Sequence, residues 1–345
     1  MENEKKRKSI FPNRKPNFPL STFHSPLFPS PTVALALVLL AFVGMQAVSV
    51  LWHLFFPSAR GSVSARYVEI LVQQCLMLAL PAALYLLRTR PWATAMRMRA
   101  LPAGACVCLL LAAVAAMFAL NMLTVLWALL MDALGLPLVG SSVPPPGNAG
   151  ELWLSLLVIG ITPALCEELL FRGLVQPSLE RMGTRRALLL GGLLFALMHG
   201  QITALPAHLL LGFVLGALLV GYGSLLAPMI FHAAYNGVTM AFGYVQRNAA
   251  LEQAERSASG LPDLSAAELI AGVAPVLIVA GLATVAFIWL PMRWAARKNP
   301  PPRFEATGER LPPAAKVLLV ILLLYFVFTY AMNIVMTAHW AGVSA

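Results

Sequence analysis

The chain has 345 residues, of which 59% are apolar and 11% are charged, and its formal net charge is +10. Soluble domains carry about 25% charged residues, so this composition and a mean hydropathy of +0.79 exclude an ordinary soluble protein. We expect an all-α, polytopic membrane protein whose positive charge sets orientation and attracts anionic lipid rather than nucleic acid.

The N-terminal arm, residues 1–31, mixes a cluster of Lys and Arg with prolines and shows no helical period, which predicts a disordered cytoplasmic tail. About nine membrane-spanning helices follow, because nine apolar stretches approach the roughly 20 residues that cross a bilayer. These stretches are 33–55, 68–87, 103–134, 152–170, 187–199, 205–222, 225–244, 269–290 and 317–336.

We divide the chain that follows the tail into three parts. Residues 32–151 are predicted to form N-terminal transmembrane helices, 152–244 the core helices that carry the polar motifs, and 245–345 C-terminal transmembrane helices. With the N-terminus in the cytoplasm, 20 of the 24 Lys and Arg residues fall on the inner side, as the positive-inside rule requires. We therefore predict a multi-pass protein of the plasma (inner) membrane with its N-terminus cytoplasmic and its C-terminus outside.

Two adjacent carboxylates, Glu167 and Glu168, end the fourth apolar stretch, with Arg172 one turn further on. A charged side chain at membrane depth costs about 2.5–3.5 kcal/mol on insertion scales, which makes it a functional-site candidate. Glu168 and Arg172 are four residues apart and can pair on one helix face. Glu167 then needs a partner from another helix. Alternatively, both carboxylates mark the inner end of the span and reach water.

Two later stretches carry isolated polar side chains. His199 ends the fifth, and His232 and Asn236 lie four residues apart on one face of the seventh. From the rise of 1.5 Å per residue, Glu167 and these three side chains lie about 8–18 Å from the inner boundary. They can share a polar cavity in the cytoplasmic half if the three helices are neighbours.

The motifs Glu-Glu-x-x-x-Arg, Phe-x-x-x-His and His-x-x-x-Asn occur in this order on separate apolar helices, over about 152–244. This pattern resembles the CPBP family of intramembrane proteases, which includes the type II CAAX prenyl endopeptidases and Abi-like relatives. The resemblance implies an all-helical bundle whose cavity opens toward the cytoplasm or the inner leaflet. It also implies a peptide or lipidated protein substrate at the bilayer.

The resemblance assigns roles to the same residues. Glu167 and His199 would activate a water, His232 and Asn236 would stabilise the oxyanion, and Glu168 with Arg172 would hold the site together. Amide hydrolysis does require a positioned base and preorganised hydrogen-bond donors for the oxyanion. We favour a reaction without a cofactor.

Three alternatives stay open at this point. Glu167, His199 and His232 are a possible ligand set for Zn²⁺, although a His-Glu-x-x-His motif is absent from the sequence. His208 is a possible further ligand, but we expect it to bond local backbone. The second alternative is a non-catalytic membrane scaffold or immunity-type protein of the same family. The third, which is the least favoured, is a transporter.

Gly212 and Gly216 have the spacing that lets two membrane helices approach closely. We expect the sixth helix to pack tightly on a neighbour and keep the flanking helices in register.

Overall fold

The computed structural model describes residues 28–57, 62–88, 97–136, 143, 145–256, 266–298, 301 and 308–343; the predicted tail up to residue 27 lies outside this set. Across the described residues the regular structure is helical and forms nine helices. They are α1 (Pro31–Phe55), α2 (Val63–Arg88), α3 (Ala103–Ala133), α4 (Ala149–Glu180), α5 (Thr184–Met198), α6 (Leu205–Tyr222), α7 (Leu226–Arg256), α8 (Ala266–Lys298) and α9 (Pro313–Val343). The predicted all-α, polytopic bundle is confirmed.

Among the described helices, seven are long and apolar enough to cross a membrane, two fewer than the predicted nine. The others are α5 and α7. Helix α5 has 15 residues and rises about 22 Å, less than the hydrocarbon core of about 30 Å. Helix α7 is 31 residues long but carries polar groups such as His232 and Asn236. The short helix, α5, ends directly before His199. The less apolar helix, α7, carries His232.

Contacts between loops group the helix ends at the two ends of the bundle. At one end Arg181, after α4, donates to the carbonyl of Phe28, before α1, at 3.3 Å. At the same end the Leu225 amide, before α7, donates to the carbonyl of Arg97, before α3, at 3.1 Å. These four loops are the ones that an alternating path assigns to the inner side.

The opposite end shows the complementary grouping. Arg247, late in α7, donates to the carbonyl of Pro145, before α4, at 3.1 Å. Trp127, late in α3, donates to the carbonyl of Ile202, between α5 and α6, at 2.8 Å. The path of the first seven helices thus alternates as predicted, while the side that faces the cytoplasm stays a prediction, as does the division into three parts.

Two helices of the bundle are irregular. Helix α2 contains a π-helical segment at Gln73–Ala79, and α4 contains two, at Leu156–Ile161 and Phe171–Val175. Such segments widen a helix, shift the side chains that follow and often occur at functional sites. Helix α4 packs against α2 and α7, and α5 packs against α6. This packing places the polar residues of α2, α4, α5 and α7 within reach of one another.

Candidate active site

The two carboxylates of α4 are buried, with 4% of Glu167 and 0% of Glu168 exposed. In addition, α4 continues to Glu180. For both reasons, the alternative in which the two carboxylates end the span and reach water is wrong. Adjacent side chains on an α-helix point about 100° apart. Glu167 accordingly faces α2, and Glu168 faces α7.

Glu168 is the centre of a buried ionic cluster. Its Oε1 accepts hydrogen bonds from Arg172 Nη1 at 3.1 Å and from His232 Nδ1 at 2.9 Å. Arg172 also donates to the carbonyl of Gly212 on α6 at 2.8 Å, and its guanidinium carbon lies 4.7 Å from the ring centroid of Phe195. The predicted pair of Glu168 and Arg172 is present, and it connects four helices rather than one.

Glu167 has the partner from another helix that its position requires. Gln74 of α2 donates from Nε2 to Glu167 Oε1 at 2.8 Å, and both side chains are buried. Within the described residues the second oxygen, Oε2, has no hydrogen-bond partner. It faces His199 Nε2 at 3.9 Å and His232 Nε2 at 4.0 Å. One carboxylate oxygen is thus fixed, and the other is open toward two imidazoles.

The imidazole of His199 follows the last turn of α5. Its Nδ1 lies 2.8 Å from the Phe195 carbonyl, and since a carbonyl only accepts, Nδ1 carries a hydrogen; in a neutral imidazole Nε2 is then the acceptor. The ring also stacks on His208 of α6, with centroids 4.1 Å apart and planes 25° apart. His208 Nδ1 is buried without a hydrogen-bond partner in the described part of the chain. The expected bond from this ring nitrogen to local backbone is therefore wrong, and aromatic stacking takes its place.

Asn236 lies one turn beyond His232 on α7, and its amide is engaged with backbone. Its Nδ2 donates to the carbonyl of Ile159 on α4 at 3.1 Å. That carbonyl cannot accept from the amide four residues on, because Pro163 has no N–H. Asn236 thus supplies a donor to a carbonyl that has no α-helical partner, and the second hydrogen of its NH₂ group remains for another acceptor.

The buried polar face of α4 continues past Arg172 to Gln176 and Glu180, each four residues after the last. Gln176 Nε2 donates to Glu180 at 3.2 Å and to the carbonyl of Gly216 at 3.2 Å. Glu180 also forms an ion pair with Arg97. Glu180 and Arg97 are almost fully buried, so the predicted end of the span at residue 170 is ten residues too early.

The glycines of α6 explain how these carbonyls are reached. A Cβ on Gly212 would lie 2.9 Å from Gly192 Cα and 3.0 Å from Phe195 Cβ on α5. The close approach predicted from the Gly212 and Gly216 spacing is present, and it is made with α5. It keeps the Gly212 carbonyl within reach of Arg172 and holds α5 beside α4.

Sequence reasoning missed Gln74, Gln176 and Glu180 as members of this network. A signal for the first was available, since Gln73 and Gln74 are consecutive amides in the middle of the second apolar stretch. Their burial, at 8% and 5% exposure, shows that both face protein rather than lipid.

The proposed zinc ligands lie together without the spacing of a metal site. Two ligands of a tetrahedral zinc with bonds of about 2.0–2.1 Å stand about 3.3 Å apart, shorter than the separations of 3.9 and 4.0 Å around Glu167. Among the described side chains no group of three or more His, Cys, Asp or Glu is placed to hold a metal ion. The arrangement described here does not fit zinc.

Comparison with known proteins identifies the segment that holds this site. Residues 149–238 match the family described as Type II CAAX prenyl endopeptidase Rce1-like. The segment covers α4, α5, α6 and the part of α7 that carries His232 and Asn236. The resemblance to this family that the motifs predicted is confirmed over this segment, and nothing in the comparison extends it to the rest of the chain. No curated protein and no solved structure matches the chain.

Proposed function

We propose that this integral membrane protein is an endopeptidase that hydrolyses a peptide bond of a membrane-associated or lipidated protein with a water activated by Glu167 and His199. The observation that carries this proposal is the open Oε2 of Glu167, which faces two imidazole nitrogens across 3.9 and 4.0 Å. Both separations exceed a direct hydrogen bond of about 2.7–3.2 Å. One bridging water fits such a separation.

The hydrogen-bond partners of His199 favour its role beside the water. Because its Nδ1 hydrogen is donated to the Phe195 carbonyl, Nε2 is an acceptor in the neutral imidazole that our proposal assigns to His199. A water at this point donates one hydrogen to Glu167 and the other to His199, which leaves its lone pairs for a substrate carbonyl carbon. Glu167 takes the proton as the water oxygen attacks, and this proton passes to the leaving nitrogen when the C–N bond breaks.

His232 and Asn236 are proposed to stabilise the oxyanion of the tetrahedral intermediate. Since His232 Nδ1 donates to Glu168, its Nε2 carries a hydrogen only in the imidazolium form, and our proposal assigns it that form. The formal charges of Glu167, Glu168, Arg172 and His232 then sum to zero, which lowers the cost of burying them at membrane depth. Asn236 contributes the amide hydrogen that Ile159 does not use.

We further propose that the protein lies in the plasma membrane with its N-terminus cytoplasmic and its site in a polar cavity of the cytoplasmic half. The distribution of 20 inner and 4 outer basic residues supports this orientation. A periplasmic or extracellular reporter fused to the C-terminus is expected to be active. The bilayer and a peptide substrate are the expected partners, and nucleic acid is not.

The test of function compares the wild-type chain with Glu167→Gln and Glu151→Gln. Glu151 is a matched control because its carboxylate bonds Gly147 and Asn148 at the other end of α4. New protein termini in the membrane proteome are expected with the wild type and Glu151→Gln, and they are absent with Glu167→Gln. A fluorogenic peptide with a prenylated C-a-a-X end, assayed with purified protein in liposomes, tests the lipidated substrate class.

Other outcomes identify the alternatives. Equal cleavage by Glu167→Gln removes Glu167 from the mechanism. Activity that is lost with a chelator, returns with Zn²⁺ and accompanies one bound zinc per chain establishes a zinc-dependent protease with the same residues. A wild-type chain that produces no new termini indicates a non-catalytic scaffold.

A further inference from the structure

Helix α2 carries two consecutive buried glutamines, and each donates a hydrogen bond to a different neighbouring helix. Gln73 donates to the carbonyl of Met45 on α1 at 3.0 Å, and Gln74 donates to Glu167 on α4 at 2.8 Å. Both lie in the π-helical segment Gln73–Ala79, while Cys75 and Leu76, which follow directly, are exposed. The chain thus orients one buried amide specifically at the candidate catalytic carboxylate.

We infer that Gln74 is a positioning residue for the proposed reaction, and that its side-chain N–H fixes Glu167 so that Oε2 faces the two imidazoles. This inference rests on the proposed function. Gln74 does not touch the reacting atoms; it acts on them through Glu167. It lies outside the segment 149–238 that carries the family match.

The direction of the hydrogen bond is set by chemistry. An ionised carboxylate only accepts hydrogen bonds, so the amide must present its NH₂ group rather than its oxygen. A hydrogen bond with an ionised acceptor is among the stronger kinds in proteins. The Oε1 of Gln74 is buried and accepts no hydrogen bond from the described residues. The amide is therefore oriented by the hydrogen bond that its NH₂ group donates to Glu167.

Fixing one carboxylate oxygen also fixes the other. The terminal torsion of a glutamate has a broad, nearly two-fold profile and does not hold the group by itself. With Oε1 bonded to Gln74, rotation is restricted and Oε2 stays between His199 and His232. Without that bond the carboxylate can turn and bond an imidazole directly, which removes the space for a water.

The experiment uses the full-length chain in liposomes with Gln74→Met and Gln73→Met. Methionine keeps the length and volume of glutamine without an N–H donor. Gln73 is the matched control, because it is buried on the same turn, bonds the Met45 carbonyl and Glu69, and does not touch Glu167. Steady-state kinetics are measured on the same cleavable peptide for wild type, both variants and Glu167→Gln.

Gln74→Met is expected to lower kcat by about 10- to 100-fold, the range for loss of one hydrogen bond to a charged group. KM is expected to stay unchanged, because Gln74 is not placed against the substrate. Gln73→Met is expected to keep kcat within about twofold. Gln74→Asn, which withdraws the amide by one methylene, is expected to follow Gln74→Met and serves if the first variant does not fold.

An infrared readout separates positioning from general loosening of the structure. The Glu167 carboxylate band, taken as wild type minus Glu167→Gln, is expected to shift in Gln74→Met and not in Gln73→Met. A kcat for Gln74→Met within twofold of wild type overturns the inference, and so does an equal loss in Gln73→Met. Full activity of Glu167→Gln is a different result, since it removes the proposed function itself.

Discussion

Glu168 and His232, which lie 64 residues apart on α4 and α7, share a hydrogen bond of 2.9 Å between Oε1 and Nδ1. The same oxygen accepts from Arg172 at 3.1 Å, and 2% or less of each of these three side chains is exposed. One oxygen therefore connects the ionic pair of α4 to the imidazole of α7. In a bilayer, where apolar burial gives helices no reason to associate, such polar links and close packing hold a bundle together.

Removing Glu168 is expected to destabilise the fold strongly. Glu168→Leu leaves the Arg172 charge and the His232 N–H unpaired, and breaking a buried ion pair from one side costs about 3–5 kcal/mol. The double variant Glu168→Leu/Arg172→Met is expected to recover part of this loss, because the Arg172 charge is then no longer buried without its carboxylate. Denaturant unfolding in detergent measures both, with Glu151→Gln as the control. A single variant as stable as the wild type contradicts the central place of Glu168.

The glycine contact between α5 and α6 gives a second prediction. Gly212→Ala puts a methyl group 2.9 Å from Gly192 Cα and 3.0 Å from Phe195 Cβ, and overpacking of this kind costs about 1–3 kcal/mol. We also expect loss of activity, since the Gly212 carbonyl holds Arg172. Gly191→Ala is the matched control, because a Cβ there meets no atom within 4 Å and alanine favours a helix over glycine by about 1 kcal/mol. Equal melting temperatures for the two alanine variants would refute the prediction.

Asn236 is predicted to have a structural and a catalytic role that can be separated. Asn236→Ala is expected to lower kcat by about 10²–10³-fold, as for an oxyanion donor. It also leaves the Ile159 carbonyl without its side-chain partner, at a cost of about 1–3 kcal/mol.

Pro163→Ala in the Asn236→Ala background returns a backbone N–H near the Ile159 carbonyl. We expect the double variant to regain stability in a thermal melt without regaining kcat. If kcat returns together with stability, Asn236 acts only through the conformation of α4.

The fold class was predictable because lipid-facing helices need long apolar stretches, and all nine predicted stretches overlap helices. The C-terminal end of α4 was not, because the polar residues there were taken as the end of the span. Arg172, Gln176 and Glu180 are instead buried, each bonded to another side chain or to a carbonyl of α6. Hydropathy counts the polarity of a side chain and not whether a neighbouring helix satisfies it.

The site shows the same limit of a single sequence. The spacing of four residues predicted the pair of Glu168 and Arg172, because both partners lie on one helix. Gln74 is 93 residues away from Glu167, and no local period indicates which helix faces which. The need for a partner was evident from the sequence, but its identity required the packing of α2 against α4.

The stack of His208 on His199 gives the last prediction. The two rings lie 4.1 Å apart at 25°, and an aromatic pair contributes about 0.5–1.5 kcal/mol beyond its buried area. His208→Leu removes the ring that holds His199 on this side, so we expect kcat to fall about 2- to 10-fold, the equivalent of that energy. His208→Phe keeps a flat ring against His199 and is expected to stay within about twofold of wild type. Steady-state kinetics on both variants, with thermal melts to confirm folding, measure the difference. If His208→Phe is as impaired as His208→Leu, the imidazole nitrogens of His208 are required and stacking is not its role.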